Sequence, residues 1–318
     1  MIAILGGLGA AVSWAVATLC SSRSSRLIGP TSVLAWVMIV GFVVSIPLSA
    51  ASLAEGSTVS LAQVGGMLAN GLSYTAGLLL AYRALVIGRV SIVTPIVSTE
   101  GAVAALGSVV LGESLGIATA VILAVIAAGV VLSSIDRRAD APSPDPALDP
   151  ATDEDGLEAV VPVLTAPEPA ARPAHHREDP AATRRSILLA IGAAVAFSIG
   201  LVSSAHLGST PISWILLSSR GVGVVLIAIP LAARGQLRLT RRAVPFVLVS
   251  GVLEAVGSAV YVTGAHVSAA TAAVLGSQFA AIAAVSAFIL FGERLARIQV
   301  VGVSVIAVGV AVLAYVRG

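Results

Sequence analysis

Three ionisable side chains lie in the middle of long apolar stretches of this chain: Glu100, Arg220 and Glu254. A charge at the centre of a membrane-spanning helix costs roughly 2.5–3.5 kcal/mol on insertion scales, so such residues are rare and usually line a pathway. Either glutamate could bind a proton or a cationic group, and the arginine could bind a carboxylate or stabilise an ionised glutamate. The structural alternative is a salt bridge from Arg220 to Glu254 or Glu100 that holds helices together.

Glu254 shares one helical face with small residues and with Tyr261. The matching face of an earlier apolar stretch carries Asn70 and Tyr74. Two such polar faces would suit the two walls of a cavity. Close helix packing through small residues is the alternative, and it explains the glycines better than it explains Asn70, Tyr74 or Glu254.

Another matching pair of polar positions is Ser98 and Gln278, and Trp14 is an aromatic residue suited to a cavity wall. Pro95, near Ser98, removes a backbone donor in mid-membrane, which is tolerated where a cavity or a neighbour satisfies the freed carbonyl. The candidate substrate-binding residues are Trp14, Asn70, Tyr74, Ser98, Glu100, Arg220, Glu254, Tyr261 and Gln278.

The composition indicates that the bilayer is the solvent of this chain. Of its 318 residues 57% are apolar and 11% are charged, against roughly a quarter charged in soluble domains, and the mean hydropathy is +1.01. Runs of about eighteen or more apolar residues recur along the chain, each long enough to span the hydrocarbon. The sequence therefore predicts an all-α integral membrane protein with ten transmembrane helices. Their predicted spans are 2–20, 31–53, 61–83, 90–111, 116–134, 186–204, 211–232, 243–264, 268–291 and 298–316.

The two halves of the chain resemble each other helix by helix. Gly112-Glu113 and Gly292-Glu293 are 180 positions apart, and Gly129-Val130 and Gly309-Val310 repeat the same offset. A fixed offset of this kind marks an internal duplication. Five spans per unit is an odd number, so two tandem units must cross the membrane in opposite senses, as in inverted-repeat transporters.

A polar segment separates the two halves. Residues 136–183 hold nine of the fifteen prolines and eleven acidic residues, and such a composition cannot bury enough apolar surface to order itself. We expect a first repeat at 1–134, a disordered linker at 135–183 and a second repeat at 184–318.

The arginines predict an orientation. The loops after helices one, three, five, seven and nine carry arginine, and the loops after helices two, four, six and eight carry none. By the positive-inside rule the arginine-bearing loops are cytoplasmic. Both termini would then lie outside and the linker would be cytoplasmic.

These motifs, in this order and in duplicate, resemble those of the EamA-type members of the drug/metabolite transporter superfamily. The resemblance is carried by Val90-Ser91-Ile92-Val93-Thr94-Pro95, Leu111-Gly112-Glu113, Phe291-Gly292-Glu293-Arg294-Leu295 and the two Gly-Val pairs. It covers both halves and leaves out the linker. It implies a protein that moves small metabolites or drugs through a cavity between the repeats. Leu275 stands where the first half has Pro95, and many members keep both termini in the cytoplasm, against the arginine pattern here.

We therefore expect a non-enzymatic secondary transporter in a bacterial cell membrane, moving a small organic metabolite or drug-like solute by alternating access at a midplane site. A proton is a candidate coupling ion. The alternatives are a divalent-cation (magnesium-like) carrier, which would need convergent carboxylates, and a lipid-handling membrane protein. We expect no cofactor, no bound metal and no nucleic-acid partner, and either a monomer or a homodimer.

Overall fold

The computed structural model describes residues 1–54, 56, 58–87, 90–133, 180–208, 210–279, 281, 282, 286 and 297–317. All regular structure in these residues is helical, which confirms the predicted all-α class. The predicted disorder of the linker lies almost entirely outside the described residues and stays a prediction.

The first repeat contributes six helical segments. They are α1 (Ile2–Ile28), α2 (Pro30–Ala54), α3 (Leu61–Ile87), α4 (Val90–Val97), α5 (Glu100–Val110) and α6 (Ile117–Ser133). The second repeat contributes α7 (Pro180–Ala205), α8 (Ile212–Gly223), a π-helical segment (Val224–Ala228), α9 (Ile229–Ala233), α10 (Val244–Ala265), α11 (Ala269–Gly276) and α12 (Arg297–Arg317).

Seven helices of the described residues are long and apolar enough to cross a bilayer. They are Ile2–Ser25, Pro30–Ala54, Leu61–Ala84, Ala181–Ala205, Ile212–Ala233, Val244–Ala265 and Arg297–Val316. Two shorter apolar helices, Pro95–Val110 and Ile117–Ser133, follow in the positions of predicted spans four and five. The chain is a multi-pass membrane protein.

Predicted spans four and nine are not single continuous helices. The first is interrupted by a turn at Ser98–Thr99, where the Thr99 hydroxyl donates to the Ile96 carbonyl at 2.7 Å. The second is interrupted at Ser277–Gln278, where the Ser277 hydroxyl donates to the Val274 carbonyl at 2.9 Å. Hydroxyl groups that bond back to the preceding turn compete with the helix ladder. Both interruptions share this feature, although only the first contains a proline.

Two helix ends also differ from the prediction. Helix α1 extends past residue 20 to Ile28 and stops at Gly29, whose φ of +84° continues no right-handed helix. Helix α7 begins at Pro180 instead of residue 186, so residues 180–183, assigned to the linker, are helical. Proline suits a first helical turn, where an N–H has no partner in any case. Hydropathy could not place either end, because both lie in polar sequence.

Helix packing follows an approximate two-fold symmetry. Helix α1 packs along α10, and its equivalent α7 packs along α3. Helix α2 contacts α10, and its equivalent α8 contacts α3. Equivalent helices also pack against each other, α2 with α8 and α6 with α12, and α5 of span four packs against α11 of span nine. The repeats are therefore interlocked, with each repeat's first helix seated on the other repeat.

Hydrogen bonds show that equivalent helices run in opposite directions. Near the end of α2, Ser52 bonds Ser213 at the start of α8, with 3.1 Å between hydroxyl oxygens. Near the start of α2, the Ser32 hydroxyl donates to the Gln236 carbonyl, just beyond α9, at 3.3 Å. Opposite ends of the two helices thus meet, as inverted repeats require.

The acidic residue of the first Gly-Glu motif joins the two repeats. Glu113, just after α5, accepts hydrogen bonds from the Ser268 hydroxyl at 2.6 Å and from the Ala270 N–H at 3.0 Å. A carboxylate at a helix N-terminus is favoured by the free N–H groups and the helix dipole. Glu113 thus has a structural role at the start of α11, in the opposite repeat. Glu293, the equivalent residue, lies outside the described residues.

Candidate functional site

A cavity of about 160 Å³ lies between the two repeats. Its wall is formed by α1, α3, α4, α5, α7, α8 and α10 together with Phe279, and polar and apolar side chains contribute to it in about equal numbers. The volume is close to the roughly 150 Å³ of a cavity that holds a benzene molecule, and below the ~300–1,000 Å³ of drug-sized sites. The cavity is therefore suited to a small solute.

The structure brings together seven of the nine candidate residues on this wall. They are Trp14, Asn70, Tyr74, Glu100, Arg220, Glu254 and Tyr261. The other two, Ser98 and Gln278, are buried at the helix interruptions and do not line the cavity. A direct substrate contact is therefore not what the geometry favours for them.

Arg220 is the anchor of the polar part of the wall. It lies in the last turn of α8 and its side chain is 2% exposed. One guanidinium nitrogen, Nη2, lies 2.8 Å from the Ser258 hydroxyl, 3.1 Å from the Glu254 carbonyl and 3.5 Å from Glu254 Oε2. The predicted ion pair with Glu254 is therefore present, and α8 is tied to α10 by several contacts of one side chain.

Tyr74 completes this cluster from α3. Its hydroxyl donates to Glu254 Oε2 at 3.2 Å, and its ring centre lies 5.1 Å from the Arg220 guanidinium carbon. An aromatic face at this distance stabilises a cation. Tyr74 of α3 thus supplies a hydrogen-bond donor to Glu254, and Arg220 of α8 supplies a cation. Together they offset the cost of placing a carboxylate in mid-membrane.

Glu100 is placed by the interruption between α4 and α5. It is the first residue of α5, where a negative side chain is favoured by the helix dipole. Its backbone carbonyl accepts a hydrogen bond from Ser198 of α7 at 2.8 Å. The side chain is 9% exposed and lies on the cavity wall. A continuous helix would have left this residue away from any helix end.

Asn70 and Tyr261 direct their polar groups to the backbone of α7. The Asn70 amide donates to the Gly200 carbonyl at 2.7 Å, and the Tyr261 hydroxyl donates to the Leu201 carbonyl at 3.3 Å. These hydrogen bonds fix α3 and α10 against α7. Both residues remain on the wall, where they shape the cavity.

The aromatic part of the wall follows the two-fold symmetry. Trp14 lies over Gly257, where an added Cβ would be 2.7 Å from the indole Nε1, and Phe197 lies over Gly77, where it would be 2.6 Å from Cδ1. The Trp14 ring is 5.9 Å from that of Tyr261, and the Phe197 ring is 5.9 Å from that of Tyr74. Each glycine leaves space that an aromatic ring from the other repeat fills.

Several wall residues were missed by the sequence interpretation. They include Thr18, Phe197, Ser204, Ser219 and Phe279. Phe197 could have been found, because it occupies the position of Trp14 in the second repeat. Ser204 and Ser219 carry no signal of this kind, because a serine within a helix can bond a backbone carbonyl of the preceding turn and so needs no cavity beside it.

The wall also bears on the divalent-cation alternative. Within the part of the chain that the structure describes, no three His, Cys, Asp or Glu side chains cluster closely enough to hold a metal ion. The carboxylate of Glu254 is shared between Arg220 and Tyr74.

Comparison with known proteins agrees with this architecture. A solved structure, described only as "Crystal structure of protein", is similar to this chain with a TM-score of 0.68 and 17% sequence identity. The similarity covers 99% of this chain and 96% of the chain in that structure. At this identity the similarity shows a shared fold alone. No curated protein matches this chain. The model of the EamA-like transporter family matches residues 1–135 and 184–315, which are both five-helix halves without the intervening segment. This chain is a member of the EamA-like transporter family.

Proposed function

We propose that this protein is a secondary transporter that moves a small organic solute through the cavity between its repeats by alternating access. The observation that carries the proposal is the meeting of Glu100, Arg220 and Glu254 on one cavity wall between inverted repeats. Membrane transport is the activity of the family, whereas the solute and the mechanism are proposed here.

The symmetry of the packing supports alternating access. Helix α1 on α10 and helix α7 on α3 are equivalent contacts between the two repeats. Rocking of one repeat against the other would open one contact and close the other around a fixed midplane site. The interrupted helices α4–α5 and α11 cross beside that site, where Gly101 packs against the Ala273 carbonyl.

We further propose that the linker is cytoplasmic, that both termini face outward and that transport is coupled to protons through Glu254. Arginine placement supports the orientation. A proton arriving on Glu254 would weaken the ion pair with Arg220, and this would link protonation to a change in helix contacts.

The divalent-cation carrier is less favoured, because Arg220 lies against the same carboxylate that a cation would need. The lipid-handling alternative is tested by the same experiment as the proposal itself. A lipid-handling protein would give no solute flux in proteoliposomes.

The test is solute uptake by the purified full chain in proteoliposomes, using compounds that first raise its thermal stability in a screen of amines, amino acids, nucleosides and divalent cations. A bound ligand stabilises the folded protein in proportion to RT ln(1 + [L]/Kd). We expect counterflow of an organic hit, driven further by a pH gradient, and loss of the pH-driven part in Glu254→Gln. Gly65→Ala, on the outer face of α3, is the control. Full pH-driven uptake in Glu254→Gln would remove the proton-coupling proposal, and absence of flux for every stabilising ligand would remove the transport proposal.

A further inference from the structure

We propose that the cavity selects a small organic cation, a protonated amine carried on an apolar or aromatic body. This inference deepens the proposed function and rests on it. Among the residues that the structure describes, the charged side chains on the wall are two carboxylates, Glu100 and Glu254, and one guanidinium, Arg220. Formally, these described side chains carry one more acid than base.

Arg220 is already committed to protein groups. Its Nη2 faces three acceptors on α10, its Nη1 lies 3.9 Å from Met38 Sδ and its guanidinium carbon lies over the Tyr74 ring. The stem packs against Gly41, where an added Cβ would be 3.1 Å from Cδ. An anionic solute would have to draw this 2% exposed guanidinium away from Glu254 and leave that carboxylate without its cation. Removing one partner of a buried pair is strongly unfavourable.

Glu254 keeps a free side. Its side chain is 20% exposed. Within the described residues, the Tyr74 hydroxyl and Arg220 both approach Oε2. A carboxylate has about four lone-pair sites on two oxygens. Oε1 is therefore left for an N–H donor of a solute without displacing either protein partner.

Glu100 offers a second acceptor from another helix. Arg220, the one basic residue among the described wall residues, lies against Glu254. An ammonium group entering the cavity would thus meet one carboxylate that is partly neutralised by the protein and another that has no arginine beside it on the wall.

The aromatic residues of the wall suit the same class of solute. Trp14, Tyr74, Phe197, Tyr261 and Phe279 all line the cavity. Aromatic faces attract cations and also cover an apolar body, and Trp is the most effective of them. Neutral and anionic solutes gain from the apolar cover but not from the charge.

The test uses three probes with the same phenylethyl body or its close equivalent and different charges: 2-phenylethylamine as the cation, 2-phenylethanol as the neutral compound and phenylacetate as the anion. Binding to the purified full chain in nanodiscs is measured by calorimetry, and counterflow is measured separately in proteoliposomes. The variants are Glu100→Gln and Glu254→Gln, and Glu158→Gln in the linker is the matched removal of one carboxylate elsewhere.

We expect 2-phenylethylamine to bind at least about tenfold more tightly than 2-phenylethanol, a difference of about 1.4 kcal/mol, and phenylacetate to bind no better than the alcohol. The preference should fall to about threefold or less in one or both cavity variants and stay unchanged in Glu158→Gln. A preference for the alcohol or the acid, binding of none of the three probes, or a cation preference that survives both cavity variants would overturn the inference. Charge-selective binding without counterflow would instead contradict the proposed transport function and leave the charge selection of the cavity standing.

Discussion

Tyr74 and Glu254 occupy the same position in the two repeats, 180 residues apart, and they are hydrogen bonded to each other at 3.2 Å. Equivalent residues can meet only at the axis that relates the repeats. Two glutamates there would repel each other, whereas a phenol and a carboxylate form a donor–acceptor pair. The two repeats therefore carry different residues at the position where two identical acidic residues would have been unfavourable. Arg220 stabilises this Tyr74–Glu254 pair by contacting both residues.

Removing the Tyr74 hydroxyl should weaken the cluster without dismantling it. Hydrogen bonds to charged groups contribute roughly 1.5–3 kcal/mol, and we expect Tyr74→Phe to lie at or below the lower end because Arg220 still faces Glu254. Tyr74→Leu should lose up to about 2 kcal/mol more, because the cation–π contact is lost as well. Chemical or thermal unfolding in detergent measures both changes. Tyr82→Phe in the same helix is the control, and equal effects of Phe and Leu at position 74 would argue against the cation–π contact.

Arg220 and Glu254 should behave as a coupled pair. Arg220→Ala leaves a carboxylate without its cation and should destabilise the protein by roughly 3–5 kcal/mol. The double variant Arg220→Met with Glu254→Gln should recover a large part of that loss, because no unpaired charge remains. Unfolding free energies of the wild type, of Arg220→Met and Glu254→Gln alone, and of the double variant form the test cycle. Additive effects would show that the two side chains are energetically independent.

The glycines under the aromatic rings should resist substitution. A Cβ at Gly77 or Gly257 would be 2.6–2.7 Å from an atom of Phe197 or Trp14, so each ring must move off its position on the cavity wall. Overpacking of this kind costs typically 1–3 kcal/mol. In Gly257→Ala with Trp14→Leu the shorter side chain leaves room for the new methyl group, so the loss measured by thermal unfolding in detergent should be smaller than the sum of the two single losses.

Gly65→Ala is the internal control for these two substitutions. Nothing lies within 4 Å of a Cβ at Gly65 in α3, and alanine is the better helix former by roughly 0.5–1 kcal/mol. We expect no loss of stability there. A similar loss at all three positions would point to a helix effect unrelated to the rings.

The contact between Glu113 and α11 should hold the repeats together. Glu113→Ala removes the acceptor of two hydrogen bonds at a helix start, a loss of about 0.5–2 kcal/mol for a capping group. Ser268→Ala should be similarly unfavourable, and the double variant should cost less than the sum of the two. A double-mutant cycle by thermal unfolding measures the coupling. Coupling near zero would mean that the hydrogen bond contributes little.

The orientation in the membrane can be tested with single cysteines. Cys20→Ala removes the one native thiol, and Thr58→Cys and Ser143→Cys place a thiol in the loop after α2 and in the linker. A membrane-impermeant maleimide should label the first in intact cells and the second only after permeabilisation. The reverse pattern would place both termini in the cytoplasm and contradict the interpretation of the arginines.

Features that depend on local composition could be predicted from the sequence. Apolar length sets how many spans are possible, and the offset between Gly112-Glu113 and Gly292-Glu293 indicates the duplication. Charge inside an apolar run singled out Glu100, Arg220 and Glu254, because burial of a charge is unfavourable whatever surrounds it.

The tertiary structure alone decided what each of these residues contacts. The sequence left open whether Arg220 pairs with Glu254 or Glu100, and packing of α8 against α10 chose Glu254. Membrane helices are apolar on most faces, since lipid and neighbouring helices are both apolar partners, so periodicity does not reveal which face meets a cavity. For this reason Ser98 and Gln278 were named as candidate binding residues although they do not line the cavity, and Phe197 was overlooked. The sequence also could not show that Glu113 binds the N-terminus of α11, a helix of the opposite repeat.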